Sequence, residues 1–284
     1  MRLGGERESS NVEDGRGGGG GGRLAIGGGI GGLAILLIAT LLGLDPRQLL
    51  NPTPDAGPAP GAQTQQAPGT QQDDQMEFVR RVLGSTETTW GDIFKRNGAS
   101  YREPKLRLFS GQVQSACGVA GASVGPFYCP GDEHVYLDTS FFDELRSRFR
   151  APGDFAQAYV IAHEVGHHVQ KLLGTSDKVT NLQQRGSEAQ GNRLSVMLEL
   201  QADCYAGVWG FYAQQRGILD PGDLEEALRA ASAIGDDRLQ KESQGYAVPD
   251  SFTHGTSEQR TRWFKQGFDT GDMRRCDTFS SRGL

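Results

Sequence analysis

Residues 163–167 read His-Glu-Val-Gly-His, and this short sequence constrains the fold more than any other part of the chain. Two histidines four positions apart face the same way on an α-helix, where residues i and i+4 are neighbours. Apolar residues at helical spacing surround the sequence and predict a helix from Asp154 to Leu173, ending at Gly174. On that helix the imidazoles of His163 and His167 can reach one ion, at about 2.0–2.1 Å if the ion is zinc.

A second predicted helix supplies a candidate for the third ligand. It covers approximately Arg193 to Gln215 and carries Glu199 and Asp203, which are four positions apart and therefore face the same way. Glu199 is the candidate ligand. Asp203 is the candidate acceptor for the second N–H of a ligand histidine, an arrangement that fixes the tautomer and strengthens the ligand. Alternatively, both carboxylates lie on a solvated face, but the apolar residues beside them favour a buried position.

Glu164 lies one step round the helix from the two histidines and is the candidate general base. It would take a proton from a zinc-activated water and deliver it to the leaving amine of a peptide bond. A structural zinc takes four protein ligands and needs no base, so Glu164 favours an enzyme with one zinc ion per chain. The alternatives are an inactive or latent zinc-binding module, chaperone-like or interacting with partners at the membrane, and a hydrolase of non-peptide amides or esters.

Four separated sequences occur in the order found in a known family. They are CGVAGASVGPFYCPGDEHVYLDTSFF, HEVGHHVQ, ELQADCYAGVW and SFTHGTSEQRTRWF. With them, the chain resembles the neutral zinc metallopeptidases of bacteria over nearly all of residues 76–284. It is more distantly similar to CAAX-prenyl-protease and heat-shock-induced membrane peptidases. The resemblance implies a zincin-like, membrane-anchored endopeptidase that acts on proteins or peptides.

The distant similarity also implies roles that spacing alone does not assign. It implies Glu199 as the third ligand, Asp203 behind a ligand histidine, and the segment with His254 and Arg260 near the metal. His254 would stabilise the oxyanion or close the site as a fourth ligand, and Arg260 would pair with Asp203 or another carboxylate. From the sequence alone, His254 is a loop histidine and Arg260 is a surface charge. Gly255 stands where the distant relatives have Pro, which leaves the shape of this loop open.

Two other histidines are predicted to lie outside the metal site. His168 points about 100° away from His167 on a helix, so it is assigned a structural role. His134 falls in a strand-like sequence and is predicted to lie on a sheet face. Residues 121–129, which are punctuated by Gly and Pro, are predicted to form an edge strand to which an extended substrate adds.

The order of predicted elements is a helix, some strands and then mostly helices, which indicates an α+β fold. Besides the two helices already described, hydrophobic spacing predicts the following elements: a helix over Met76–Lys95 that includes a second short part, strands at 106–109 and 134–137, a helix capped by Asp138 and Thr139, and a helix over Leu224–Gln240.

Four cysteines are present, and no two of them form a C-x-x-C pair. We favour a disulfide between Cys117 and Cys129, which closes a short loop, and one between Cys204 and Cys276, which ties the C-terminal tail to a helix. Four cysteines allow three pairings, and sequence alone does not choose among them. Four buried free thiols are the alternative.

The N-terminal quarter of the chain differs from the rest in composition. Residues 1–23 are polar and Gly-rich and are predicted to be a disordered tail. Residues 24–44 carry no charge and match the length of a transmembrane helix; a cleaved signal peptide is the alternative. Residues 45–75 are rich in Pro and Gln and are predicted to be a linker. The catalytic domain is predicted to cover residues 76–284.

The charges predict where these parts lie. Lys and Arg mark the cytoplasmic side, so the arginines of the tail predict a cytoplasmic tail and an extracytoplasmic domain. We therefore expect a single-pass protein of the bacterial inner membrane. Small residues spaced four apart in the span would allow a homodimer, although a low-complexity glycine run explains them too. The formal net charge of −6 argues against nucleic acid as a partner.

Overall fold

The computed structural model describes residues 1–16 and 68–280 of the 284-residue chain. Its fold is α+β and mostly helical, as the sequence predicts. The strands are β1 (Val12–Asp14), β2 (Lys105–Phe109), β3 (Gln112–Ser115), β4 (Gly118–Gly121), β5 (Phe127–Cys129) and β6 (His134–Asp138). The helices are α1 (Pro68–Arg96), α2 (Ser140–Ser147), α3 (Asp154–Leu172), α4 (Thr175–Gln183), α5 (Glu188–Gln215), α6 (Asp223–Ala233), α7 (Asp236–Gln244) and α8 (Ser257–Thr270).

A four-stranded sheet in the order β1-β2-β6-β5 packs against the helices. β1, β2 and β6 are parallel, whereas β5 pairs antiparallel with β6 and forms one edge. Leu106 and Leu108 of β2 lie opposite Val135 and Leu137 of β6, and all four are buried in the main core. Residues two apart on a strand share a face, so the alternating apolar residues of both strands turn toward the helices. The strands predicted at 106–109 and 134–137 are confirmed.

The helices that carry the predicted metal ligands, α3 and α5, cross at small residues. A Cβ atom at Gly166 of α3 would lie 2.9 Å from the carbonyl oxygen of Ala202 in α5. Further along α5, a Cβ at Gly207 would lie 2.0 Å from the carbonyl oxygen of Phe264 in α8. Only glycine lets the backbones approach this closely. The two predicted ligand helices and α8 are therefore held together as one rigid group.

Both favoured disulfides are confirmed. Cys117 bonds to Cys129, and Cys204 of α5 bonds to Cys276 in the turn that follows α8. The second bond closes a loop of 72 residues and fixes the C-terminal segment to the helix that carries Glu199.

The prediction of one helix over Leu224–Gln240 is wrong, because α6 ends at Ala233 and α7 begins at Asp236. A Cβ atom at Gly235, between them, would lie 2.3 Å from the backbone nitrogen of Ser257. The chain therefore breaks where it passes close to the start of α8.

The predicted boundary between linker and domain is also wrong. Residues 68–75 belong to α1, which continues without a break to Arg96, so the predicted two-part helix is one helix. Proline suits the first position of a helix, since its missing N–H has no intrahelical partner there. Pro68 therefore begins a helix, although the composition around it resembles a linker.

The prediction of a disordered tail over residues 1–23 is wrong for residues 1–16, which we call the N-terminal arm. The arm contributes β1, which pairs with β2 through Val12 and Leu106, and it buries Ser9 and Val12. Its few apolar and hydroxyl side chains find buried partners on the domain, which composition cannot indicate.

No helix within residues 1–16 and 68–280 is long and apolar enough to cross a membrane. The predicted span over 24–44 lies outside the described residues, as do residues 45–67 of the predicted linker.

Candidate metal centre

Helix α3 presents His163 and His167 on one face, as the spacing predicts. Their rings are 4.8 Å apart between centroids and nearly perpendicular. His163 is 6% exposed and Glu164 is 7% exposed, so this part of the helix is almost closed to bulk water.

Helix α5 brings Glu199 to the same point. Its Oε2 lies 3.1 Å from Nε2 of His163, and its Oε1 lies 3.4 Å from Nε2 of His167. Two ligands about 2.0–2.1 Å from a tetrahedral zinc are about 3.3 Å apart, so these separations match. The donor set also fits, because two imidazoles and one carboxylate are a common set for catalytic zinc. His163, His167 and Glu199 can therefore hold one ion between them.

Asp203 contacts the ring nitrogen of His163 that does not face Glu199. Nδ1 lies 2.8 Å from Oδ1 of Asp203, which also accepts a hydrogen bond from the hydroxyl of Tyr159 at 2.5 Å. Arg260 of α8 donates to both oxygens of the same carboxylate, at 2.8 and 3.0 Å. Asp203 thus lies where sequence reasoning expects it, and its predicted pairing with Arg260 is present.

The second nitrogen of His167 is held by a residue that the sequence analysis missed. Nδ1 of His167 lies 2.9 Å from Oε1 of Gln170, which is fully buried and donates to the carbonyl of Leu198 in α5. Gln170 follows His167 by three positions, so its place on the same helix face was available as a signal. Tyr159 precedes His163 by four positions, so its place on the same helix face was also available as a signal, and it too was missed.

The surroundings shift the pKa values of two carboxyl groups of the site, Asp203 and Glu164, in opposite directions. Burial alone would raise the pKa of Asp203, but Arg260 and His163 outweigh burial and lower the pKa to about 2. Burial raises the pKa of Glu164, against the opposing effect of His163 and His167. Asp203 is therefore a permanent anion, whereas Glu164 binds a proton more readily than an exposed glutamate.

His254 lies in the loop before α8 and is positioned by Asp236. The carboxylate of Asp236 accepts hydrogen bonds from three successive backbone N–H groups, those of residues 253–255, at 2.6–3.0 Å. Its other oxygen lies 3.1 Å from Nδ1 of His254. Burial lowers the pKa of His254, but the nearby negative charges of Asp236 and Glu199 outweigh burial and raise it. His254 is thus close enough to Glu199 for their charges to interact.

The loop shape that the sequence left open follows from Gly255. Its φ of +92° is unavailable to proline, whose ring holds φ near −65°. A Cβ there would also lie 3.2 Å from Cγ1 of Val196 in α5. The loop therefore takes a path that a proline at this position would not allow.

His168 points away from the metal centre, as predicted. Its Nδ1 lies 3.0 Å from the hydroxyl of Tyr128 in β5, and its Nε2 lies 2.6 Å from the carbonyl oxygen of Arg102. It thereby joins the edge strand of the sheet to α3. His134 lies in β6, in the sheet, as predicted.

Besides the metal centre, the described residues contain one group of three side chains that are close enough to bind an ion together. Asp154, Asp223 and Glu226 lie together near the start of α3, and the α-ammonium group of Met1 lies 2.7 Å from Asp154 and 3.4 Å from Asp223. A cation of the chain itself therefore compensates this negative charge.

A His-Glu-x-x-His helix, with a glutamate from a second helix completing three metal donors, defines the site of a zinc peptidase class. The chain belongs to the family described as "Putative neutral zinc metallopeptidase", which it matches over residues 1–279. The match includes the N-terminal arm.

Relatives in two bacterial species align with this chain over most of their length. The chain is 52% identical to the uncharacterized protein YpfJ of Escherichia coli K12 over 287 residues, which cover 98% of this chain and 99% of that protein. It is 44% identical to the uncharacterized protein Rv2575 of Mycobacterium tuberculosis H37Rv over 260 residues, which cover 87% and 86% of the two chains. No solved structure matches the chain.

Proposed function

We propose that this protein is a zinc-dependent endopeptidase with one zinc ion per chain and Glu164 as general base. The observation that carries the proposal is the convergence of Nε2 of His163, Nε2 of His167 and the Glu199 carboxylate, with Glu164 on the same buried helix. A zinc ion held by these three side chains would polarise the scissile carbonyl and lower the pKa of a water molecule. Three protein ligands leave one coordination position for that chemistry.

Glu164 performs the proton transfer in this proposal. It takes a proton from the attacking water and passes it to the leaving amine. Burial raises its pKa, so the carboxylate holds the proton between the two transfers more readily than an exposed glutamate would. Asp203 and Gln170 hold the two ligand histidines, so neither ring needs to reorient during the reaction.

His254 supports the negative charge that develops on the substrate oxygen. Asp236 engages Nδ1 of His254, which leaves Nε2 to donate to the substrate. Because the neighbouring carboxylates raise the pKa of His254, the ring carries a proton over a wider pH range than a free histidine.

The edge strand β5 is proposed to bind the substrate backbone. It pairs with β6 on one side, lies at the end of the sheet order, and contacts α3 through Tyr128 and His168. An extended peptide adds to such an edge through main-chain hydrogen bonds. Proline at a β5 position whose N–H faces outward should raise KM, and an unchanged KM would contradict this part of the proposal.

One observation favours a second candidate, an inactive or latent zinc module. The negative charge of Glu199 helps to raise the pKa of His254, although His254 is not among the three side chains whose donor atoms lie together. If its loop brought His254 to the metal, it would be a fourth ligand. Four protein ligands make a closed, structural site. In that case His254→Ala would weaken zinc binding and would not lower peptide cleavage.

The experiment for the proposed function compares Glu164→Gln with the wild-type full chain. Glutamine keeps the shape of glutamate but cannot accept the proton, so we expect zinc content to be unchanged and peptide-library cleavage to fall by about 10²–10⁴-fold. Cleavage should also stop when a chelator removes the metal. If Glu164→Gln cleaves peptides as fast as the wild type, the proposed mechanism is wrong.

A further inference from the structure

The N-terminal arm adds a strand to the edge of the sheet by backbone pairing. The N–H of Leu106 donates to the carbonyl of Asn11 at 2.9 Å, and the N–H of Gly15 donates to the carbonyl of Leu108 at 2.8 Å. Three consecutive residue pairs align β1 in parallel with β2, and Val12 enters the main core. The arm is thus part of the sheet.

A buried carboxylate of α1 receives the next part of the arm. The side chain of Glu87 is fully buried and accepts hydrogen bonds from the hydroxyl of Ser9 at 2.7 Å, the amide of Asn11 at 2.8 Å and the guanidinium of Arg7 at 2.6 Å. Every one of these donors comes from the arm. Undocking the arm would therefore remove all three of these partners from Glu87.

The arm crosses α1 where the helix has a glycine. A Cβ atom at Gly84 would lie 2.1 Å from the carbonyl oxygen of Arg7. Four residues back from there, the carbonyl of Arg80 accepts a hydrogen bond from the N–H of Ser9, and Arg81 donates to the carbonyl of Glu6. Helix α1 therefore has a surface shaped for this segment and for its backbone.

We propose that the N-terminal arm and residues 68–280 lie on the same side of any membrane that the chain meets. A hydrocarbon core about 30 Å thick would separate groups that this fold places at hydrogen-bond distance. A single membrane crossing between residue 16 and residue 68 is incompatible with the β1–β2 pairing and with the buried contacts of Glu87. This inference does not depend on the proposed function.

The proposal opposes the sequence-based expectation of a single-pass protein with a cytoplasmic tail. That expectation relies on the arginines of the tail. In the fold, Arg7 pairs with Glu87, Arg2 pairs with Asp220, and Arg16 pairs with Asp14. Contacts within the fold therefore account for these arginines without a cytoplasmic location.

The first experiment tests whether the arm is docked, using hydrogen exchange on the purified full chain. Gly84→Ala places a methyl group against the arm, whereas Gly91→Ala, on the same helix, meets nothing within 4 Å and is the matched control. We expect the backbone amides of Ser9 and Gly15 to exchange about tenfold faster or more in Gly84→Ala and at the wild-type rate in Gly91→Ala.

A second variant changes the arm and not α1, so that an effect of Gly84→Ala on the helix itself can be distinguished from undocking of the arm. Asn11→Ala removes a donor to Glu87 and leaves the domain unaltered, so it should accelerate exchange of the same amides. If neither Gly84→Ala nor Asn11→Ala changes exchange relative to Gly91→Ala, the arm does not dock as described.

The second experiment tests sidedness in cells that produce the full chain. Ser10 of the arm and Ser147 of α2 are both exposed, and each is replaced by cysteine in a separate variant. A membrane-impermeant maleimide is added to spheroplasts before and after lysis. Labelling of both variants before lysis, or of both only after lysis, supports the proposal. Labelling of one before lysis and the other only after lysis overturns it.

Discussion

Asp203, which contacts the metal ligand His163, and Glu87, which contacts the N-terminal arm, both have fully buried side chains. Their pKa values nevertheless shift from the ordinary values in opposite directions. The pKa of Asp203 is lowered to about 2, because Arg260 and His163 outweigh the effect of burial. The pKa of Glu87 is raised, because burial outweighs the hydrogen bonds from Asn11 and Ser9 and the charge of Arg7.

The two pKa shifts differ because the compensating arginines differ in their exposure to water. The side chain of Arg260 is 2% exposed and binds Asp203 with two nitrogens, whereas that of Arg7 is 50% exposed and contacts Glu87 with one. A cation shielded from water attracts a carboxylate far more strongly than one in water. The metal centre is therefore supported by a permanent ion pair, whereas Glu87 is bound mainly by neutral donors of the arm, which compensate its charge poorly.

Asp203→Asn should have the largest effect on stability, because it leaves Arg260 buried without a counter-charge. We expect the free energy of unfolding of the metal-free full chain to fall by about 3–5 kcal/mol. Zinc affinity should fall by about 10–100-fold, since His163 loses the anion behind it and asparagine offers only a neutral acceptor. Denaturant unfolding and competitive zinc titration measure the two effects.

The control for this prediction is Asp269→Asn, which breaks the exposed pair with Lys265 on α8, the helix that also carries Arg260. An exposed pair contributes about 0–1 kcal/mol. If Asp203→Asn costs no more than Asp269→Asn, the buried ion pair does not have the role assigned to it.

Asp236→Asn extends the comparison to a third buried carboxylate, which positions His254 without contacting substrate. Asparagine can still accept from the loop backbone, but the His254 ring is no longer held by an anion. We expect kcat to fall by about 10–100-fold with KM and zinc content little changed, because the affected charge develops in the transition state. The alkaline limb of the pH–rate profile should move to lower pH, since Asp236 helps to raise the pKa of His254.

Asp237→Asn is the matched control, because Asp237 binds the backbone and hydroxyl of Ser257 and does not share the contacts of Asp236 with His254. If Asp236→Asn and the wild type have equal kcat values and equal pH profiles, Asp236 does not position His254 for catalysis.

Glu87→Gln should have the smallest effect, and its sign depends on pH. A carboxyl group whose folded-state pKa is raised stabilises the fold below its unfolded pKa, and this contribution is lost as pH rises through the folded-state pKa. The ordinary pKa of this group is 4.5, so the stability of the wild type relative to Glu87→Gln should fall as pH rises above that value.

Unfolding curves of the metal-free protein between about pH 4 and pH 7 test this dependence on the Glu87 proton. Glu77→Gln, at an exposed position of the same helix, controls for the loss of one negative charge. If the free energy of unfolding of the wild type rises relative to that of Glu87→Gln as the pH increases, the pKa of Glu87 is not raised in the fold.

The metal ligands could be predicted because each lies on a long helix with clear hydrophobic spacing. His163 and His167 share a face by their spacing alone, and Glu199 with Asp203 repeats that spacing on the second helix. The partners that orient His167 and His254 were harder to predict. Gln170 and Asp236 acquire their roles only when α3 packs on α5 and when the chain breaks at Gly235, which are consequences of tertiary contact.

The N-terminal arm could not be predicted, for a physical reason. β1 has three residues, too few for a periodic pattern, and its partner β2 lies more than 90 positions away along the chain. The polar residues that dock it, among them Ser9 and Asn11, have the composition of an exposed tail.

The most direct test of the central claim is the zinc content of the purified full chain, wild type beside Glu199→Ala. The account predicts one zinc ion per wild-type chain and much weaker binding in Glu199→Ala, because only two of the three converging donors remain. Wild-type protein without zinc, or equal zinc affinity in both proteins, would contradict the metal centre described here.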